Sequence, residues 1–539
     1  MSKSVSSTAV TPKNTLAGFG KYFRFTLKHN LVRYIVWIAT IVFLIAYVGV
    51  YYKSMFDTQA KLNEFAAVGS TAGMVAMIGK ISNMATIGGA VWTKIWMFSA
   101  LTLGIGMVFQ VTKGARADEE NGRTELFRSR PFGIHSTLAS VVSGALLLCA
   151  VIGILTAIAS IALKLDPPGK GVTGSLILGL SVTAIGWLGV GIGALTNQLS
   201  ASASIANSSG SIIIMVFYCM RMIGDMGSND TLTWLSPIGW GEKMEPWAYN
   251  RGWLIIPIII LTAALIAVAY VIESRRDYGS GVLKEKKGKS EATPLMRRSW
   301  GLILHLYKGS IIGWSIGIVI AGLMFGSVAK SMLSLFADAN VPMLKGSGID
   351  ALMGLLLCFI GLVSVVLPML IMTGLRSDEA KGLLESQLAG GISRSRMVLD
   401  RFIVGTLVTA LLLMLGGASF GLSYGAAAND MSQVGRLAID ALIYLPGIMA
   451  ITSVVVLLFG IIPRATIPVT WFIYGMMYFA VLLSDALKLP QWALNIIPFI
   501  GTPRIPYQAF DASVFGYLAA AIIFVLIGII GLGKRDIPR

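Results

Sequence analysis

The 539 residues are 55% hydrophobic and only 13% charged, well above the apolar share of soluble domains. That balance excludes a soluble globular enzyme and describes a chain that crosses a membrane many times. The formal net charge of +17 therefore has to be explained by topology. Cys149, Cys219 and Cys358 each sit inside an apolar stretch and read as small packing residues rather than as a disulfide or metal framework.

The chain opens on a polar, basic segment through Lys28 that lacks a short apolar core before a small-residue cleavage site, so no cleaved leader is expected. Within it, Phe19, Tyr22, Phe23, Phe25 and Leu27 interleave with Lys21, Arg24 and Lys28. The pattern suits a helix lying in the headgroup layer, or plain juxtamembrane anchoring. Apolar runs long enough for a bilayer core follow at 34–52, 90–111, 137–162, 173–195, 205–223 and 253–272. A basic linker at 275–299 comes next. Six further runs lie at 310–329, 351–375, 399–422, 438–461, 467–484 and 513–532. The sequence thus predicts an all-α polytopic membrane protein of twelve transmembrane helices. They form two tandem six-helix repeats, half-permeases at 1–274 and 300–539, with amphipathic interfacial helices and short cytosolic coupling helices.

Orientation follows from charge. With an even number of spans and a cytosolic N-terminus, the inner segments hold 29 of the 43 Lys and Arg residues, while the acids divide equally. Both termini are therefore expected in the cytosol, and the positive charge reflects topology and anionic headgroups, with no need for a nucleic-acid partner.

The duplication is written most clearly in two charged bends. Arg116, Asp118, Glu119, Gly122 and Glu125 after the second run recur in register as Arg376, Asp378, Glu379, Gly382 and Glu385 after the eighth, 260 residues later. Pro237 and Pro498, and Arg276 and Arg535, keep nearly the same offset. An acid three residues after each arginine lets a short helix pair them internally, and the glycine interrupts that helix. Such a rod can dock in a groove of a soluble partner, with Leu126 and Phe127, or Leu383 and Leu384, supplying apolar contact. For a single loop, a solvated topological marker would be the simpler reading; repetition at one topological place favours docking.

No catalytic apparatus emerges. Gly288-Lys289-Ser290 resembles the tail of a phosphate loop, but Leu283 stands where its first glycine belongs and no buried strand precedes it. His29, His135 and His305 are scattered at membrane edges, so no metal site is expected. Lys94, Arg221 and Asp440 lie in or at the outer ends of spans without a relay across the midplane, and Arg221 has Asp225 one turn away.

The bend residues Asp378-Glu379, Gly382, Glu385, Leu388, Ala389, Gly390 and Ser393-Arg394 resemble the loop after the second span of type-two ABC exporter permeases. Two fused six-span halves, the segment Trp234-Leu235-Ser236-Pro237-Ile238-Gly239-Trp240 and Arg275-Arg276-Asp277-Tyr278-Gly279 are similar to bacterial polyketide or tetronasin antibiotic exporter permeases. The first copy departs from the pattern, with Arg128-Ser129-Arg130-Pro131 where the second has Leu388-Ala389-Gly390-Gly391. The resemblance implies the permease subunit of an ATP-driven exporter of hydrophobic or amphipathic antibiotics in the bacterial cell membrane. Two copies of a separate ATPase subunit, carrying ATP and Mg, would dock on the two bends, and this chain would hydrolyse nothing itself. An ion-coupled twelve-span carrier of drugs is the alternative, although neither bend shows that carrier's Gly-x-x-x-Asp-Arg-x-Gly-Arg-Arg pattern. A membrane-embedded transferase is a third class, for which no catalytic set can be assembled.

For cargo, Met215, Phe217 and Tyr218 in the fifth run and Trp471, Tyr474, Met477 and Tyr478 in the eleventh offer adaptable thioethers and flat rings to a lipophilic substrate. Lipid contact or helix packing explains them equally well. Gly189 with Gly193, and Gly417, Gly421 and Gly425, read as sites of close helix approach. Tryptophan and proline in the outer loops 224–252 and 485–512 suggest short interfacial helices.

Overall fold

A computed structural model describes residues 15–70, 74–75, 78–125, 132–167, 169, 171–227, 230–277, 279, 281–282, 291–338, 348–482 and 495–535. Among these residues the regular elements are helices. Eleven are long and apolar enough to cross a membrane. The run expected at 467–484 is the helix Thr466–Leu482, which stops at the edge of the described residues. The chain divides into two compact units, Met1–Lys287 and Gly288–Arg539.

The first unit begins with α1 (Phe19–His29), whose Tyr22 and Thr26 are buried while Lys21, Arg24 and Lys28 face outward. The spans α2 (Leu31–Met55), α4 (Ile87–Gly114), α6 (Ser136–Ala162), α7 (Thr173–Leu199), α8 (Ala203–Met226) and α11 (Ile255–Arg275) follow. Between them lie the short helices α3 (Gln59–Gly69), α5 (Arg116–Glu120), α9 (Thr231–Leu235) and α10 (Pro237–Glu242). Helix α7 is the centre, packing against α4, α6 and α11. Its glycines make this possible. A Cβ on Gly189 would collide with the carbonyl of Gly104 on α4, and one on Gly179 with that of Gly153 on α6, so these helices meet backbone to backbone.

The second unit comprises α12 (Ser299–Asp338), α13 (Gly348–Ser364), α14 (Val366–Ala380), α15 (Leu383–Ala389), α16 (Arg394–Ala428), α17 (Gln433–Asp440), α18 (Leu445–Ile461), α19 (Thr466–Leu482), α20 (Pro498–Gly501) and α21 (Ser513–Lys534). Helix α12 packs on α16, and α18 on α21. Two of its spans are broken at prolines. Helix α13 ends at Ser364, four residues before Pro368, whose ring displaces that carbonyl. Likewise a 3₁₀ turn, Ala441–Tyr444, connects α17 to α18 just before Pro446. The glycine ladder of α16 meets α17: Cβ atoms on Gly417 and Gly421 would strike the carbonyls of Leu437 and Gln433.

In the segments expected as outer loops, short helices α9, α10 and α20 form where tryptophan and proline cluster. Not all of these rings face the interface. Trp247 is 5% exposed, belongs to the core of the first unit and donates its indole N–H to Asp166 Oδ1 at 3.0 Å. Residues 483–494, including Pro490 and Trp492, lie outside the described set, as do Leu126 through Pro131 and the linker residues Leu283 through Ser290.

Candidate functional site

The bend of the first unit grows directly from α4. The helix breaks at Ala115, restarts as α5 for five residues, and turns at Gly122, whose φ of +68° is the left-handed region that only glycine enters without strain. Gly382 sits at +69° between α14 and α15. An added side chain at either glycine would meet open space, so conformation alone demands glycine there.

Each bend is bound to the end of its unit's last span by a buried Arg–Glu–Arg cluster. In the first unit Arg276, just beyond α11, grips Glu119 with two parallel bonds, Nη1 to Oε1 at 2.8 Å and Nη2 to Oε2 at 2.7 Å. The backbone N–H of Gly279 adds 2.8 Å to Oε1, and Arg116 Nη1 adds 3.1 Å to Oε2. Arg116 also donates to the carbonyls of Ala201 and Gly279, and Arg276 Nε donates to Gln198. The side chains of Arg116, Glu119 and Arg276 are 1%, 7% and 8% exposed. Charge-assisted bidentate pairs shielded from water are the strong class of hydrogen bond. A small polar hollow lies against the cluster, lined also by Thr124, Thr137, Asn197 and Glu273.

In the second unit Glu379 is held the same way. Arg376 Nη1 donates to Oε2 at 2.8 Å, and Arg535, just beyond α21, donates to Oε1 and to the carbonyl of Phe459. Arg394, opening α16, donates to the carbonyls of Leu532 and Arg535 and so caps α21. Here the arginines are wetter, with 25% of Arg376 and 17% of Arg535 exposed around a Glu379 that is 2% exposed.

The structure sorts the ten bend residues by direction. Arg116, Glu119 and Glu379 turn inward, Arg376 is half-buried, Glu125 and Glu385 are exposed, and Gly122 and Gly382 form the corners. The aspartates differ between copies. Asp118 pairs with Arg123 at 3.2 Å on the surface, whereas Asp378 takes Arg401 of α16 at 2.5 Å. The cause is local sequence: at the 260-residue offset, Leu383 stands in place of Arg123, and Val141 in place of Arg401. Of the apolar residues expected to meet a partner, Leu384 is 1% exposed and belongs to the core of its own unit, while Leu383 is 47% exposed. Leu126 and Phe127 lie outside the described residues.

A second cluster lies at the opposite end of the first unit. Arg221, 0% exposed, meets Asp225 at 3.3 Å as the sequence spacing predicts, and also Glu242 at 3.3 Å from α10. Thr233 donates to Asp225, the backbone N–H of Lys80 to Glu242, and Lys243 to Asp230. Burial pushes the Glu242 carboxyl well above the ordinary carboxylate range; Arg221 pulls it down and Asp225 adds to the rise. Glu242 was not legible as a member, since nothing in Pro-Ile-Gly-Trp-Gly-Glu marks it as buried. His135 Nδ1 with Glu273 Oε2 at 2.7 Å is another pair that the sequence did not announce.

The aromatic and thioether residues of the fifth and eleventh runs are mostly engaged within their own units. Tyr218 is buried under the Arg221 guanidinium, 4.5 Å from ring centroid to Cζ, and the Phe217 carbonyl accepts from Ser236. Met215 is 42% exposed. In the second unit Trp471, Tyr474 and Tyr478 pack on the core, Met477 is buried, and the Tyr474 hydroxyl donates to the Leu362 carbonyl at 3.0 Å.

Helices alone among the described residues, many of them fit to span a bilayer, with like-built bends in both units, define a polytopic all-α membrane protein. Its sequence is similar to those of permeases. Residues 296–532 match the family model described as multidrug efflux system permease Rv1217c, C-terminal domain. Over 490 residues, 89% of this chain and 88% of the relative, the sequence is 29% identical to the multidrug efflux system permease protein Rv1217c of Mycobacterium tuberculosis.

Proposed function

We propose that this chain is the permease subunit of an ATP-driven ABC exporter that moves hydrophobic or amphipathic drugs out of a bacterial cell. Each unit is a six-span half-permease with cytosolic ends. The two bends receive two copies of a separate ATPase, which carries ATP and Mg, and this chain hydrolyses no nucleotide. The observation that carries this reading is the bend itself, charged, short, glycine-turned and held through a carboxylate between two arginines in both halves of a chain similar to a drug-efflux permease. Glu125, Glu385, Leu383 and Lys381 form its outward face.

The test is reconstitution in liposomes with an ATPase subunit encoded nearby. ATP-dependent accumulation of an amphipathic fluorescent dye is expected, lost on charge reversal of Glu125 together with Glu385. Dye movement driven by an ion gradient alone, with no ATPase present, would remove the ABC reading.

A further inference from the structure

The same cluster occurs in both units, and in both it joins the segment after the second span to the residue that ends the sixth. Glu119 and Glu379 are the most acidic-looking landmarks of the bends, yet their side chains are 7% and 2% exposed. A carboxylate buried between two arginines is turned away from any soluble partner. Its removal instead takes from two arginines the carboxylate they share. The bonds run between elements 157 residues apart in the first unit and 156 in the second, so they fix tertiary geometry rather than helix ends. The bends have other ties, from Asp378 to Arg401 and from the Ala203 N–H to Glu120, but these do not reach the last span. Helix α5 has five residues, α15 has seven, and each glycine corner lacks neighbours.

We propose that Glu119 and Glu379 are positioning residues. Through Arg276 and Arg535 they lock each bend to the end of its unit's last span, so that bend and last span move as one rigid lever. A push on the bend then reaches the membrane through α11 or α21 directly, as well as through α4 or α14. The inference rests on the docking reading above for the source of the push, and its test separates the two.

Label pairs are placed at Asn121→Cys with Arg275→Cys in one version, and Lys381→Cys with Lys534→Cys in another, in a Cys219→Ala background; all four positions are exposed. Distances are measured by double electron–electron resonance on the full chain, with its ATPase, nucleotide-free and ATP-trapped. Each pair should hold its separation within about 2 Å between the two states, a shift no larger than that of helices sliding while packed. Glu119→Gln and Glu379→Gln should broaden the corresponding distribution. They should leave co-purification of the ATPase intact and cut drug-stimulated ATP hydrolysis about 5-fold or more, with basal hydrolysis retained. A wild-type pair that changes separation on nucleotide trapping overturns the lever, as does Glu119→Gln with an unaltered distribution. If wild-type chain retains no ATPase, the docking reading fails alone; the lever is then judged by whether Glu119→Gln broadens the nucleotide-free distribution, and equal widths overturn it.

Discussion

Arg221 shows what one buried charge does in this molecule. It lies between Asp225 and Glu242 with no exposure, beneath it the ring of Tyr218. Replacing it by methionine preserves length but leaves Asp225 and Glu242 out of water without the cation between them. Removal of one partner from a buried ion cluster costs about 3–5 kcal/mol, so Arg221→Met should lower the melting temperature in detergent markedly. Adding Glu242→Gln should recover part of the loss. The same cluster has a pH sign. A carboxyl whose folded pKa is raised, as burial raises that of Glu242, contributes stability below its unfolded value of 4.5 that is lost as pH rises through the folded pKa. Wild-type protein should therefore lose melting temperature more steeply than Glu242→Gln as pH climbs from 4.5 toward neutrality. At this scale the sequence was half legible. Arg221 and Asp225 declare their pairing by being four residues apart on a helix, and Arg116 with Glu119 by being three apart. Glu242 to Arg221 and Arg276 to Glu119 are contacts of the tertiary fold, and no local spacing reports them.

The spans themselves were the most legible elements, because about 20 apolar residues in a row leave a helix as the way to satisfy the backbone in lipid. Their breaks were less so, although Pro368 and Pro446 stand in plain view. A proline marks a kink only once the surrounding run is known to be one helix, and Ser364 and Tyr444 are where the helical segments end. Glycines that read as packing residues are placed at backbone contacts, Gly189 on Gly104 and Gly417 on Leu437. Inserting a side chain into such a crossing forces helices apart at a cost of about 1–3 kcal/mol or more. Gly189→Leu should accordingly reduce melting temperature and yield, while Gly435→Ala, where an added Cβ meets nothing, should leave both unchanged or slightly improved. Helix α1 shows the limit of pattern reading. Its aromatic and basic alternation fits a headgroup-layer helix, but Tyr22 is committed to the protein, its ring edge-on to Phe132 at 5.7 Å. Orientation around that helix came from the partner surface.

At the scale of the whole chain, duplication keeps the plan of each unit while letting its strength diverge. Both units place a carboxylate between two arginines where the bend meets the last span. In the first, four donors converge on Glu119, from Arg276 twice, Arg116 and Gly279, and all three charged side chains are nearly dry. In the second, Glu379 is equally buried but its arginines keep contact with water. An arginine that is already part-hydrated loses less when its carboxylate is neutralised, because solvent screens the charge left behind. The same substitution in the two halves should therefore have unequal effects. Glu119→Gln is expected to cost about 3 kcal/mol, and Glu379→Gln roughly half of that or less, compared as melting temperatures of the two single variants purified side by side. Equal shifts would show that hydration of Arg376 and Arg535 does not set the strength of the second clamp. Unequal ones would mean that the two bends, alike in sequence, yield at different loads, the second before the first.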